Sequence, residues 1–151
     1  MKKLLSLILG IILVVIASGQ DVAPTVFANW KDKVDPSVDR GLNYLSRSLL
    51  NDGSYPGSYG NSCGIPALAG MAFLSRGHLP TEGPYADSLN KIIDFLIGRQ
   101  NREGLYTGGQ YGSGPMYGHN IATLFLSEVS GMVDPDRQKK ICLLYTSPSP
   151  R

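Results

Sequence analysis

The chain has 151 residues, of which 42% are hydrophobic and 17% are charged, and its formal net charge is +2. This balance excludes the strong basic field that suits nucleic acids or acidic surfaces, so no nucleic-acid partner is predicted. Two cysteines, Cys63 and Cys142, are too few for a disulfide framework or a zinc site built from thiolates. The chain carries no phosphate loop or nucleophile elbow either, so neither a metal ion nor a cofactor is predicted.

The N-terminus has the three parts of a secretory signal peptide. A basic start, Met1-Lys2-Lys3, precedes an almost wholly apolar run and the small residues Ala17-Ser18-Gly19. We expect residues 1–19 to be cleaved off and the protein to be exported to the periplasm or the extracellular space of a bacterium. The apolar run of about 14 residues is short for a bilayer span of about 20. An uncleaved inner-membrane anchor is therefore the weaker alternative, and membrane contact is expected only through this segment.

The first helix is predicted near residues 36–50. Residues 20–34 show no sustained periodicity and are predicted to form a linker. Asp35 and Pro36 then have the pattern of an N-cap and a first helical residue, where the missing N–H of proline costs nothing. The apolar residues of this segment fall on one stripe, as in a helix with one buried side: Val38, Leu42, Leu45 and Leu49.

Two kinds of helix alternate along the rest of the chain. Two segments almost free of charge predict helices near 63–76 and 118–131, which we expect to be buried on all sides in an inner layer. Between them, an amphipathic outer helix is predicted near 85–100. Asp134-Pro135 repeats the Asp-Pro pattern and predicts the start of a fifth helix.

A short unit occurs twice at a spacing of fifty-one residues, from Gly53 to Gly104. Its first copy is Asp52-Gly53-Ser54-Tyr55, and its second copy is Glu103-Gly104-Leu105-Tyr106. A period of this length is typical of stacked helical hairpins. We therefore predict an all-α repeat domain over residues 35–141, with four helices paired as two antiparallel hairpins.

The last ten residues, 142–151, match the translation of a sequencing adapter residue for residue. The DNA TGTCTCTTATACACATCTCCGAGCCCACGA, which resembles read-through of a transposase-based library adapter, encodes them in frame. We therefore expect this tail to be non-native and to belong to no packed element. The alternative is an ordinary Ser/Pro-rich tail. In the adapter interpretation the native gene continues beyond Ile141, and the chain is an N-terminal fragment.

The second copy of the unit resembles a known repeat. Gln100-x-x-x-Gly104-x-Tyr106 is similar to the Gln-Trp repeat of squalene and oxidosqualene cyclases, with tyrosine in place of tryptophan. Residues 116–128 are similar to a signature of exported bacterial repeat proteins of the same superfamily, typical of planctomycete-like organisms. The resemblance covers about residues 38–141. It implies the α/α toroid of terpenoid cyclases and protein prenyltransferase β-subunits, here as an incomplete ring with two repeats.

Four residues are candidates for a binding site in the lumen of such a ring: Tyr106, Tyr117, His119 and Glu128. His119 and Glu128 are also a candidate pair for general acid–base catalysis. In the structural alternative, the histidine caps a helix and the glutamate binds a backbone N–H or an arginine.

Three further residues allow a chemical and a structural interpretation. Asp52 and Glu103 are candidates for the paired carboxylates of a glycan-cleaving site, but their equivalence in a repeat favours a role in turns. Cys63 is a candidate reactive thiol at a helix start. The interpretation that we favour for Cys63 is a small buried hydrophobic residue.

Three functions stay open at the level of the sequence. The resemblance and the export signal favour a toroid that binds a hydrophobic or isoprenoid ligand or a protein partner. The first alternative is a terpene or polyprenyl cyclase whose acid motif, D-x-D-D, lies beyond the present residues, since the chain does not contain it. The second alternative is a carbohydrate-active enzyme, which suits an exported protein but needs paired acids. Whether the protein is an enzyme is left open.

Overall fold

The computed structural model describes residues 24–57, 62–101, 104–106 and 114–146. Five α-helices make up most of this part of the chain: α1 (Pro24–Ser48), α2 (Gly64–Ser75), α3 (Ala86–Gly98), α4 (Gly114–Glu128) and α5 (Pro135–Thr146). The described residues form no strand, only an isolated antiparallel bridge between Gln100 and Tyr106. The predicted all-α class is therefore confirmed for them. None of these five helices is long and apolar enough to cross a membrane.

The chain divides into two compact units, Met1–Asp39 and Arg40–Arg151, and α1 crosses the boundary between them. In the first unit, every described residue is helical, so residues 24–34 of the predicted linker belong to α1. Pro24 is the first helical residue, a position that suits proline. Pro36 lies inside α1 instead of beginning it. The Asp-Pro pattern is a local signal for a helix start, but a helix that began earlier in the chain can continue through it.

The same pattern does begin a helix at α5, as predicted. Asp134 Oδ1 accepts hydrogen bonds from the backbone N–H groups of Asp136 and Arg137, at 3.1 and 3.0 Å. These are two of the N–H groups that have no partner within the first turn of a helix. Pro135 follows as the first helical residue.

The C-terminal tail continues the last helix. Residues 142–146 extend α5 to Thr146, and Cys142 is exposed there, so the expectation that residues 142–151 belong to no packed element stays a prediction. Each residue added to an existing helix gains one backbone hydrogen bond, and this stretch contains neither glycine nor proline to stop it. The rest of the tail, residues 147–151, lies outside the described residues.

Helix α3 contacts both α2 and α5 in the second unit. Its predicted apolar stripe is fully buried, with 0% exposure for Leu89, Ile92, Ile93 and Leu96. On its polar side, Asp94 receives two hydrogen bonds from Arg137 of α5, at 2.7 and 2.6 Å, and these two charges form an ion pair. Asn90 Oδ1 accepts a further bond from the same guanidinium at 2.9 Å. Both faces of α3 therefore take part in holding the unit together.

Helices α2 and α4 run parallel in close contact. A Cβ atom on Gly64 would lie 3.6 Å from Gly118, near the start of both helices. Further along, a Cβ atom on Gly70 would lie 2.6 Å from Cζ of Phe125. The second contact lies further toward the C-terminus on both helices, so the two helices run parallel. Glycine is required at Gly70, because the Phe125 ring occupies the space of its missing side chain.

The expectation that α2 and α4 are buried on all sides is wrong. Ile65 and Leu68 of α2 are 38% and 51% exposed, and Tyr117 and Leu124 of α4 are 57% and 51% exposed. The main helix contacts of the second unit are α2 with α4, α2 with α3, α3 with α5 and α4 with α5. Helices α1 with α2 and α3 with α4, which were expected to form the hairpins, are not among these main contacts. Among the described residues, α2 and α4 each keep one uncovered side.

We predict that Gly70→Ala destabilises the protein, because the added methyl group meets the Phe125 ring. Overpacking of this kind typically costs about 1–3 kcal/mol, more than the gain in helix propensity of about 1 kcal/mol. Gly41 is the matched control, since it is exposed within α1 and has no atom within 4 Å of the position of a Cβ. Urea unfolding followed by circular dichroism should show a lower midpoint for Gly70→Ala and an unchanged or higher one for Gly41→Ala. Equal midpoints would contradict the α2–α4 contact.

Candidate functional site: the repeated turns and the face of α2 and α4

The two copies of the acid-Gly-x-Tyr unit form the same turn. In each, the glycine N–H donates to the carbonyl three residues earlier, and the N–H of that earlier residue donates to the carbonyl just before the tyrosine. The glycines have φ angles of +84° and +81°, a region that favours glycine. The four bonds are Gly53 to Leu50 at 3.0 Å, Leu50 to Ser54 at 2.9 Å, Gly104 to Asn101 at 3.1 Å and Asn101 to Leu105 at 2.9 Å. The sequence period is therefore also a period of the structure.

Each turn ends by burying its tyrosine. Tyr55 is 8% exposed, and its hydroxyl donates to the carbonyl of Leu45 in the last turns of α1, at 3.0 Å. Burial raises the pKa of Tyr55 to about 12. Tyr106 is 2% exposed. Both rings are therefore packed in the interior, and Tyr106, a candidate for the lumen, is not exposed.

Asp52 has a structural role in the first turn. Its Oδ1 accepts hydrogen bonds from the hydroxyl and the backbone N–H of Ser54, at 2.6 and 3.0 Å. These bonds favour the charged carboxylate and lower the pKa of Asp52 below 3.8. The neighbouring Gly53 has no room for a side chain, because a Cβ there would meet the carbonyl oxygen of Lys91 in α3. The turn interpretation is confirmed for Asp52, and Glu103 lies outside the described residues.

We predict that Asp52→Asn changes how stability depends on pH. The folded pKa of Asp52 is lower than its unfolded value, so the carboxylate contributes stability above about pH 3.8. That contribution is lost as the pH falls through the lower, folded pKa. Wild-type protein should therefore lose stability more steeply than Asp52→Asn between pH 5 and pH 2, in urea unfolding across a pH series.

Ser54→Ala provides a second test of the same bond, because it removes the larger cause of the shift. The pH dependence of this variant should lie between those of wild type and Asp52→Asn. If all three proteins lose stability in parallel on acidification, the hydrogen bonds of Asp52 are not what lowers its pKa.

His119 holds the second turn against α4. Its Nδ1 accepts a hydrogen bond from the backbone N–H of Tyr106 at 3.4 Å, and the two rings lie 5.6 Å apart at 31°. The alternative of a capping histidine is wrong, because α4 begins at Gly114 and His119 lies within it. Tyr106 and His119 are therefore brought together, in a contact that fastens the turn.

The other candidate site residues lie elsewhere on α4. His119 and Glu128 are nine residues apart, which places them on opposite faces of a helix and about 13 Å apart along its axis. They do not form an acid–base pair. Tyr117 and Glu128 are both exposed and share a face with Leu124, since separations of seven and eleven residues return to the same side. Of the four lumen candidates, Tyr117 and Glu128 thus form one group, and Tyr106 and His119 form another.

The exposed apolar residues of α2 and α4 lie on the same side of the helix pair. At 100° per residue, Leu68 and Ile65 lie about 100° and about 160° from the mean direction of the α2 contact residues Gly64 and Gly70. Tyr117 and Leu124 lie about 90° and about 110° from the direction of Gly118 and Phe125 on α4, in the opposite sense. Because the helices are parallel, these rotations bring the two exposed sides together, away from α3 and α5. We call this surface the α2–α4 face and define it by Ile65, Leu68, Tyr117 and Leu124.

A sequence signal for the α2–α4 face exists but was missed. Phe73-Leu74-Ser75 in α2 recurs as Phe125-Leu126-Ser127 in α4. Aligning these triplets matches Ile65 with Tyr117, and the half-buried Ala72 with Leu124. Phe73 and Phe125 are both 0% exposed. The recurring triplet therefore aligns the two buried phenylalanines and one exposed pair, Ile65 and Tyr117, whereas Ala72 is half-buried where Leu124 is exposed.

Cys63 is a buried hydrophobic residue, as favoured from the sequence. Its side chain is 0% exposed, and burial raises the pKa of its thiol. A raised pKa lowers the thiolate fraction, which is the reactive form. Cys142 is exposed, and neither cysteine is in a disulfide. Over the described residues no group of three or more potential ligands is placed to hold a metal ion.

We predict that the two thiols react at very different rates with Ellman's reagent at pH 8. Cys142 should react within the mixing time or shortly after it, whereas Cys63 should react only when guanidinium unfolds the protein. Cys142→Ser isolates the Cys63 signal and serves as the control. Rapid labelling of folded Cys142→Ser would show that Cys63 is accessible and that its burial is incorrect.

The chain was compared with protein families, curated proteins and solved structures. No family model matches it, and no curated protein or solved structure matches it significantly. The likeness to the terpenoid cyclase superfamily therefore depends on the Gln100-to-Tyr106 motif and the residues around Tyr117 alone, and it stays a hypothesis.

Proposed function

We propose that this protein is an exported binding protein built from the helical repeats of an α/α toroid, and that the α2–α4 face is its binding surface. The observation that carries the proposal is the α2–α4 face itself. Ile65, Leu68, Tyr117 and Leu124 are 38–57% exposed, although they belong to the two most tightly joined helices of the unit. Apolar residues that are exposed together are typical of a surface that contacts a ligand or a partner.

Two features support the toroid arrangement. The turns at Gly53 and Gly104 repeat the same hydrogen bonds at the sequence period, as expected for stacked repeats. Helices α2 and α4 are neighbours in space and run parallel. In a ring built this way, successive inner helices run parallel and turn one side toward the lumen. The α2–α4 face then corresponds to the lumen wall.

The chemistry of the described residues favours binding over the two enzyme alternatives. The candidate pair His119 and Glu128 lies on opposite faces of α4, and the carboxylate of Asp52 is engaged by Ser54. Tyr106 and His119 bond to each other across a turn. Each of these groups is therefore either hydrogen-bonded within the fold or distant from its proposed catalytic partner. The apolar character of the α2–α4 face indicates an uncharged hydrophobic ligand, such as an isoprenoid.

We predict that Leu68→Glu and Leu124→Glu each weaken the binding of farnesol, an uncharged isoprenoid alcohol, at least tenfold. A tenfold loss corresponds to about 1.4 kcal/mol, and it arises because each glutamate places a charge within the apolar surface. Tyr44→Glu is the matched control, since Tyr44 is 70% exposed on α1. Titration followed by tyrosine and tryptophan fluorescence gives the dissociation constants. Because both leucines are half exposed, the unfolding midpoints should change little.

Two outcomes of that titration would contradict the proposal in different ways. If wild-type protein does not bind farnesol, the isoprenoid form of the proposal is wrong. If it binds and all three variants bind equally, the α2–α4 face is not the binding surface. Loss of binding only in Leu68→Glu and Leu124→Glu, with unchanged unfolding midpoints, is the expected result.

The export part of the proposal has its own test. Expressed from its natural start in a Gram-negative host, the protein should be recovered from the periplasm with Gln20 as its first residue, as measured by mass spectrometry. A double substitution in the apolar run, Leu9→Arg with Val14→Arg, should leave the product in the cytoplasm, because two charges prevent insertion of the signal peptide. A wild-type product that stays in the cytoplasm with Met1 intact would exclude export.

A further inference from the structure

We draw no further inference here: the strongest candidate, the uncovered apolar face of α2 and α4, belongs to the binding surface already proposed, and nothing in the structure shows what other partner covers it.

Discussion

The contact between α2 and α4 is the constraint on which the rest of the second unit depends. Gly64 and Gly118 let the two helices approach near their first turns, and the Phe125 ring fills the space beside Gly70. An aromatic ring seated on a glycine sets the rotation of both helices about their axes. That rotation decides which side chains face α3 and α5 and which are left exposed. The α2–α4 face is therefore a consequence of this contact.

The repeated turns make two further long-range contacts, one with α3 and one with α4. Gly53 adopts a positive φ angle and lies against the backbone of Lys91, so the first turn is fixed on α3. Gly104 has the same conformation, and its neighbour Tyr106 bonds to His119 of α4. One local motif thus serves two different long-range contacts. Its tyrosine supplies a large buried ring in both copies.

The hydrogen-bonded charged residues and the exposed apolar residues of the α2–α4 face lie in different parts of the second unit. The charged residues with several hydrogen bonds have structural roles: Asp52 holds the first turn together, Asp134 caps α5, and Arg137 joins α5 to α3. The α2–α4 face carries apolar side chains over most of its length, with Glu128 at its C-terminal end. A surface of this kind recognises shape and apolar area rather than charge. This difference is the support for the proposed binding role over an acid–base reaction.

The all-α class, the buried stripe of α3, the repeated turn and the start of α5 could all be predicted from the sequence. These features depend on signals contained within a few neighbouring residues, such as helical periodicity, a glycine in a turn or an Asp-Pro cap. Which sides of α2 and α4 are covered follows from the packing of the helices, since uncharged residues are compatible with burial and with an exposed face alike. The tertiary structure also decided that α1 runs through Pro36, and that His119 meets Tyr106 rather than Glu128. Contacts of this kind depend on how helices are placed in space, and no local pattern encodes that placement.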